Sequence, residues 1–212
     1  MRDGIDLAMN LIIPEGDGPF PVILSRTPYN KSLTRSDITD DYARRGYVVA
    51  LQDCRGRFNS DGDFNAYHQE HNDGFDTVEW LAQQSWCDGN VGMIGGSYTA
   101  QTQWYAAGQA PKALKAIVPV EAPPGNCFVN EPMYGGVMSL GILEWLALLG
   151  RRSFQMSHFG DIHKEHLHYF EEKLVEKAVE ASGVNCRWWK EDWINHPNLD
   201  DFWQSCGYEH LW

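Results

Sequence analysis

Val91-Gly92-Met93-Ile94-Gly95-Gly96-Ser97-Tyr98 is a short apolar run closed by two glycines and a serine, and Thr99–Ala107 (TAQTQWYAA) follows it directly. The run reads as a buried strand entering a tight turn, and the segment behind it as a helix. A serine at the apex of a strand–turn–helix is held out from the sheet edge, which is how a nucleophile elbow presents its hydroxyl. Glycines suit such a turn because the serine backbone is strained and strand and helix pass close together. A serine hydroxyl is a weak nucleophile alone, so this reading needs a base and an oxyanion site beside it. Two other uses of the pattern exist. Ser97 can be the N-cap of an ordinary helix. The glycines can also serve a dinucleotide turn, with Glu121 at the end of the next strand as the ribose-binding acid. Against the latter, glycines at 92, 95 and 96 miss the G-x-G-x-x-G spacing, and the turn does not follow the first strand.

Working outward, residues 5–13 (IDLAMNLII) and 20–26 (PFPVILS) read as two strands joined by a turn rich in Pro, Gly and Asp. Residues 36–45 read as a serine-capped helix with early acids and late arginines, stopped by Gly46. A third strand at 47–52 leads into a polar, Gly-rich loop over 53–67. Helical spacing resumes over 71–84, before the elbow strand, the elbow helix and a strand at 114–120. Strands alternating with helices imply an α/β fold with a mainly parallel sheet covered on both faces. After Pro123-Pro124-Gly125 the pattern is helical only, over 137–149, 161–181 and shorter aromatic pieces around Trp188, Trp193 and Phe202. This second stretch reads as a helical cap over the carboxyl edge of the sheet, where such folds place a substrate pocket.

The 212 residues carry a net charge of −12, which argues against a nucleic acid or an anionic membrane as partner. No run of about 18 apolar residues suggests a membrane span, and the charged start Met1-Arg2-Asp3-Gly4 does not read as a signal segment. Cysteines at 54, 87, 127, 186 and 206 form no CxxC pair and read as free thiols of a reducing cytoplasm.

Histidines 68 and 71, and 163, 166 and 168, invite a metal reading, yet neither group matches H-E-x-x-H or its inverse. Asp53-Cys54-Arg55-Gly56-Arg57 ends a strand and suits either a substrate carboxylate or an Asp–Arg network that fixes a long loop. Arg26-Thr27-Pro28-Tyr29-Asn30-Lys31 ends the second strand at the same edge, where a tyrosine hydroxyl suits an oxyanion donor. Tryptophans 145, 188, 189, 193 and 203 read as core of the helical region.

These segments together resemble the cocaine-esterase-like and X-Pro dipeptidyl-peptidase-like serine hydrolases, a branch of the α/β-hydrolase fold. The likeness runs through residues 1–8, 26–31, 45–56, 73–81, 86–98, 103–107 and 196–203. It implies residues 1–125 as the N-terminal part of the hydrolase core and 126–212 as the helical cap. It further implies Ser97 as acylated nucleophile, with the backbone N–H of Tyr98 and the hydroxyl of Tyr29 as oxyanion hole. Substrates would be small esters, amides or peptides, without metal or cofactor. The family usually has a glycine in the first helical turn after Ser-Tyr, where Thr99-Ala100 stands here; one added methyl predicts a tighter fit.

The family's acid and base follow the cap in the order Ser, Asp, His. The resemblance therefore implies that both, with the remaining core and a C-terminal β-sandwich, lie outside these 212 residues. Asp161, His196, Asp200 and His210 are present, but all fall in the cap region. The leading reading is the N-terminal part of a serine hydrolase. A non-catalytic remnant or binding module, and a shortened enzyme completed by a second chain, are the alternatives. An incomplete sheet would leave an unpaired strand edge, which predicts self-association.

Overall fold

The structure, a computed structural model, describes residues 1–122, 125, 128, 139, 141–158, 161 and 175–207. These divide into two compact units: residues 1–63 with 67–124, and residues 64–66 with 125–207.

The first unit is a five-stranded sheet with helices. Its elements are β1 (Met9–Ile12), β2 (Phe20–Thr27), α1 (Lys31–Thr34), α2 (Asp37–Arg44), β3 (Val48–Asp53), α3 (Glu70–Ala82), β4 (Cys87–Gly96), α4 (Tyr98–Gly108) and β5 (Leu114–Val120). The strand order is β1-β3-β2-β4-β5. All pairs are parallel except β1 with β3, where Met9 faces Gln52. The first two strands are therefore not sheet neighbours, as a simple turn between them suggested; β3 lies between. Their burial explains this. All of Val22–Thr27 in β2 is buried and suits a central position, whereas Asn10 and Leu11 of β1 are exposed and suit an edge.

Period-two alternation decides which side chain meets which helix. Val22, Leu24, Val48, Ala50, Val91 and Met93 point to one face and pack with Val78 and Leu81 of α3 and Ala106 of α4. Val49 and Leu51 point the other way and pack with Ala43 of α2. α2 starts where Ser36 was read as its cap, and the Ser36 N–H donates to Thr39 Oγ1 at 2.9 Å. α3 and α4 pack so closely that a Cβ on Gly74 would lie 2.7 Å from the Cβ of Ala106.

The second face is covered over β3 but not over β4 and β5 among the described residues. An open, largely apolar groove of about 910 Å3 runs there, lined by Pro21, Ile23, Gly92, Ile94, Ala116 and Val118 among others. Among the described residues, then, both faces are covered over only part of the sheet. Val118 and Val120 of the edge strand β5 are exposed.

The second unit contains helices Gly141–Leu149, Val175–Ala181, Arg187–Glu191 and Asp201–Ser205, with single 3-10 turns at Met156–His158 and Trp193–Asn195. The expected helices over 137–149 and 161–181 are described only from 141 and, apart from 161, from 175. The tryptophans pack on one another: ring centres of Trp188 and Trp193 lie 4.8 Å apart, those of Trp193 and Trp203 4.9 Å. Trp188, Trp189, Trp193 and Trp203 are buried, which makes them core. No described helix is long and apolar enough to cross a membrane.

Leu24 is fully buried in the centre of the sheet, so Leu24→Ala should cost about 2–5 kcal/mol in urea unfolding. Val118→Ala, at an exposed edge position, should stay within about 0.5 kcal/mol of the parent.

Candidate active site

β4 ends at Gly96 and α4 begins at Tyr98, so one residue makes the whole turn. Ser97 takes φ 55°, ψ −130°, a region that L-residues rarely enter. Three backbone bonds hold it there. Its N–H donates to Val120 O at 2.9 Å, and its carbonyl accepts from Ala100 N at 2.8 Å and Gln101 N at 3.1 Å. Its side chain is exposed and makes no hydrogen bond among the described residues. Ser97 occupies the N-cap position of α4 without capping it. The ordinary-cap reading therefore loses its physical content.

The turn requires one of its two glycines. Gly95 has φ +143°, and a Cβ there would collide with Thr99 Cγ2 and lie 2.7 Å from Thr99 Cβ. At Gly96 a Cβ would meet Val120 O at 3.5 Å and Val120 Cβ at 3.8 Å, both ordinary contacts. Behind the turn, the buried amide of Gln103 donates to Gly95 O at 3.1 Å and accepts from Val118 N at 2.9 Å. This clamp ties elbow, helix and β5 together. Ala100 is fully buried in the first turn of α4, so the helix forms without the family's glycine there.

Tyr98 turns its side chain inward. Its hydroxyl donates to Glu70 Oε1 at 3.0 Å and accepts from Tyr67 N at 2.9 Å, while its ring stacks on Tyr67 at 4.9 Å. Burial, reinforced by the negative charge of Glu70, pushes the phenol well above its ordinary pKa and keeps it a donor. As first residue of α4, Tyr98 has a backbone N–H with no acceptor inside the helix.

Tyr29 is half-buried two residues past β2. β2 and β4 are parallel neighbours, so Tyr29 and Ser97 leave the same carboxyl edge from adjacent strands. The segment around Tyr29 is pinned on both sides. Buried Arg57 donates from Nε to Pro28 O at 2.8 Å. Lys31 meets Asp53 through its backbone N–H at 2.7 Å and its ammonium at 2.9 Å. Burial draws Arg57 down to about 10, which leaves it cationic at neutral pH.

Beneath the elbow lies a buried ionic network, of which the residue patterns suggested only the Asp53–Arg57 part. Arg26 pairs with Glu70 at 2.7 Å and donates to Gln52 Oε1 at 2.8 Å, and Arg55 donates to Asp73 Oδ2 at 2.9 Å. Burial opposes the charge on Arg26, but the carboxylates of Glu70 and Asp73 outweigh it and hold its pKa above the ordinary value. Burial, with Glu70 beside it, keeps the Cys54 thiol protonated. Of the two readings of Asp53–Arg57, the loop-fixing network is the one whose bonds are seen. One signal existed: an arginine inside the apolar run PFPVILSRT. Glu70 sat inside the His68–His71 cluster weighed for metal binding; His71 instead lies against Tyr105, ring centres 4.6 Å apart. Among the described residues no group of His, Cys, Asp and Glu is arranged to hold a metal. His163, His166, His168 and His210 lie outside the described residues, as does Cys127.

His196 Nδ1 and Asp200 Oδ2 are 2.7 Å apart in the second unit, and this bond holds the Asp200 carboxyl below its ordinary pKa. Asp200 also caps the helix Asp201–Ser205 by accepting from Phe202 N at 3.1 Å. The bonds of this pair are those of a helix start. The apolar groove contains none of Ser97, Tyr98 and Tyr29 in its lining.

With this geometry in hand, comparison with known proteins is decisive. Residues 3–212 match the X-Pro dipeptidyl-peptidase (S15) family. The chain belongs to that family. It is similar to a cocaine esterase of Rhodococcus sp. (strain MB1 Bresler), 36% identical across 97% of this chain and 39% of that protein. Among solved structures, an α-amino acid ester hydrolase superposes with TM-score 0.74 at 24% identity, covering 100% of this chain and 38% of that one. An aminopeptidase from a marine-sediment Thaumarchaeota archaeon gives TM-score 0.73 at 22% identity, covering 100% and 39%. The fold is thus of the α/β-hydrolase type, and the chain spans about two fifths of the length of these relatives.

Gly95→Ala should destabilise the protein by about 3 kcal/mol, since it adds both a collision and a forbidden φ. Gly96→Ala should cost less than about 1 kcal/mol. Chemical unfolding of the two variants side by side measures the difference.

Proposed function

We propose that the chain carries the nucleophilic part of a serine hydrolase that cleaves small ester, amide or peptide substrates. The observation that carries this reading is Ser97 itself: exposed, held at φ 55° by backbone bonds, with its hydroxyl unengaged among the described residues. In this reading Ser97 Oγ attacks the substrate carbonyl carbon while its proton passes to a general base. The C–O or C–N bond of the leaving group then breaks, the leaving group takes the proton, and an acyl-enzyme remains for water to hydrolyse. The Tyr98 N–H and the Tyr29 hydroxyl donate to the oxyanion. The general base and its acid are supplied by residues outside this sequence, in a longer polypeptide or a second chain. The S15 family, and relatives described as esterase, ester hydrolase and aminopeptidase, support acyl transfer as the reaction class. Cys54 and Cys87 are free and buried, which supports a reducing, cytoplasmic setting.

A fluorophosphonate probe tests the nucleophile directly. Labelling is followed over hours, because a serine without its base reacts slowly. One adduct is expected, mapped to Ser97 by peptide mass and absent in Ser97→Ala. Tyr29→Phe should lower the labelling rate by about a hundredfold if its hydroxyl stabilises the oxyanion. A chain left unlabelled at Ser97 is a binding module or remnant instead.

A further inference from the structure

Glu70 is only 2% exposed and belongs to no motif that pointed to the site, yet it touches the residue that follows the elbow serine. Its Oε1 accepts from the Tyr98 hydroxyl at 3.0 Å, and its Oε2 faces Arg26 Nη1 at 2.7 Å. Arg26 is fully buried and is held in turn by Gln52. The Tyr98 hydroxyl also accepts from the backbone of Tyr67, a non-glycine residue at φ 73°. The side chain of Tyr98 is therefore fixed from two directions, by a carboxylate on α3 and by a strained backbone just before α3.

Fixing this side chain also fixes its backbone. Tyr98 has no freedom to rotate the first turn of α4 unless its phenol leaves both partners. We propose that Glu70 is a positioning residue: through the Tyr98 hydroxyl it locks the first turn of α4, and with it the backbone N–H assigned to the oxyanion hole. The inference rests on Ser97 being the nucleophile for its catalytic meaning, but the mechanical coupling is a property of the fold alone. It also gives the buried carboxylate a role beyond balancing Arg26 and bonding the Cys54 thiol. Asp73 lies 3.9 Å from Arg26 and is itself bonded to Arg55. A carboxylate serving charge balance alone would have no reason to hold the phenol as well.

Two variants separate geometry from charge. Glu70→Asp keeps the negative charge beside Arg26 but withdraws the carboxylate from the phenol. Tyr98→Phe keeps the whole ion pair and deletes only the hydroxyl. Amide hydrogen exchange is read at Ala100 and Gln101, which donate to Ser97 O, and compared with the last turn of α4. Exchange at Ala100 and Gln101 should accelerate about tenfold in Glu70→Asp, which loses one hydrogen bond, and at least as much in Tyr98→Phe, which loses two, while the last turn stays within about twofold. Unchanged exchange, or acceleration spread evenly along α4, overturns the proposal. Neither result depends on whether Ser97 reacts, so failure of the nucleophile reading is seen separately, as missing fluorophosphonate adduct on the parent protein. Where the parent is labelled, both variants should label more slowly at saturating probe, with the half-saturating concentration unchanged. A rise in that concentration with no fall in the saturated rate would instead mark Glu70 as shaping the pocket.

Discussion

A strand and a helix meet here with a single residue between them. β4 keeps its parallel register with β5 as far as Gly96, and α4 begins at Tyr98, so Ser97 absorbs the entire change of direction. For a residue with a side chain, that conformation costs on the order of 1–3 kcal/mol and persists only where its surroundings over-determine it. The surroundings do so. Val120 receives the serine N–H, two helix amides take its carbonyl, and Gln103 spans from Gly95 to Val118. Gly95 must be glycine because Thr99 occupies the space a side chain would need. Each neighbour is itself part of the sheet or of α4, so the exposed hydroxyl is a consequence of how the sheet is built.

The layer beneath the turn is ionic rather than apolar. Buried charges usually destabilise unless each is paired and hydrogen-bonded. Arg55 with Asp73 and Lys31 with Asp53 meet that condition, and Arg26 with Glu70 meets it through the bonds to Gln52 and Tyr98. These pairs lock different pieces of chain to one another: strand end to helix start, loop to helix, and the Tyr29 segment to the end of β3. An apolar filling of equal volume would supply cohesion without fixing these relative positions, because hydrophobic contact is non-directional. Directional bonds are what a site needs when its parts leave separate strands.

Much of this was legible in the residues. The elbow, the parallel sheet, the helix after Ser36 and the strand at 114–120 follow from periodicity and from glycine placement, all local signals. What was not legible depends on pairing between distant segments. Nothing in residues 5–26 says that β3 lies between the first two strands, since that choice is settled by the burial of β2 on both faces. Glu70 looked like part of a histidine cluster, because only the fold brings it to Tyr98, 28 positions onward. Gln103 looked like an ordinary helix position, because its two bonds run to a preceding strand and a following one. Arg26 was the available clue, as a charge within a buried strand demands a partner.

Backbone strain gives an independent argument for where this fold does its work. Four strands, β2 to β5, are each followed within a few positions by a non-glycine residue at positive φ: Asn30, Phe58, Ser97 and Glu121. No such residue precedes a strand within the same distance except Ala110, four positions before β5. Strain of this kind is selected only where geometry matters more than stability. It gathers at the carboxyl edge, the side on which parallel α/β sheets present their ligands. Ser97 leads directly into α4, whose aligned peptide dipoles amount to roughly half a positive charge at a helix N-terminus. On the proposed reading, a developing oxyanion is stabilised by this dipole and by hydrogen bonds from a rigid first turn and from Tyr29. The stabilisation depends on how firmly that turn is held, which returns the argument to Tyr98 and the carboxylate that grips it.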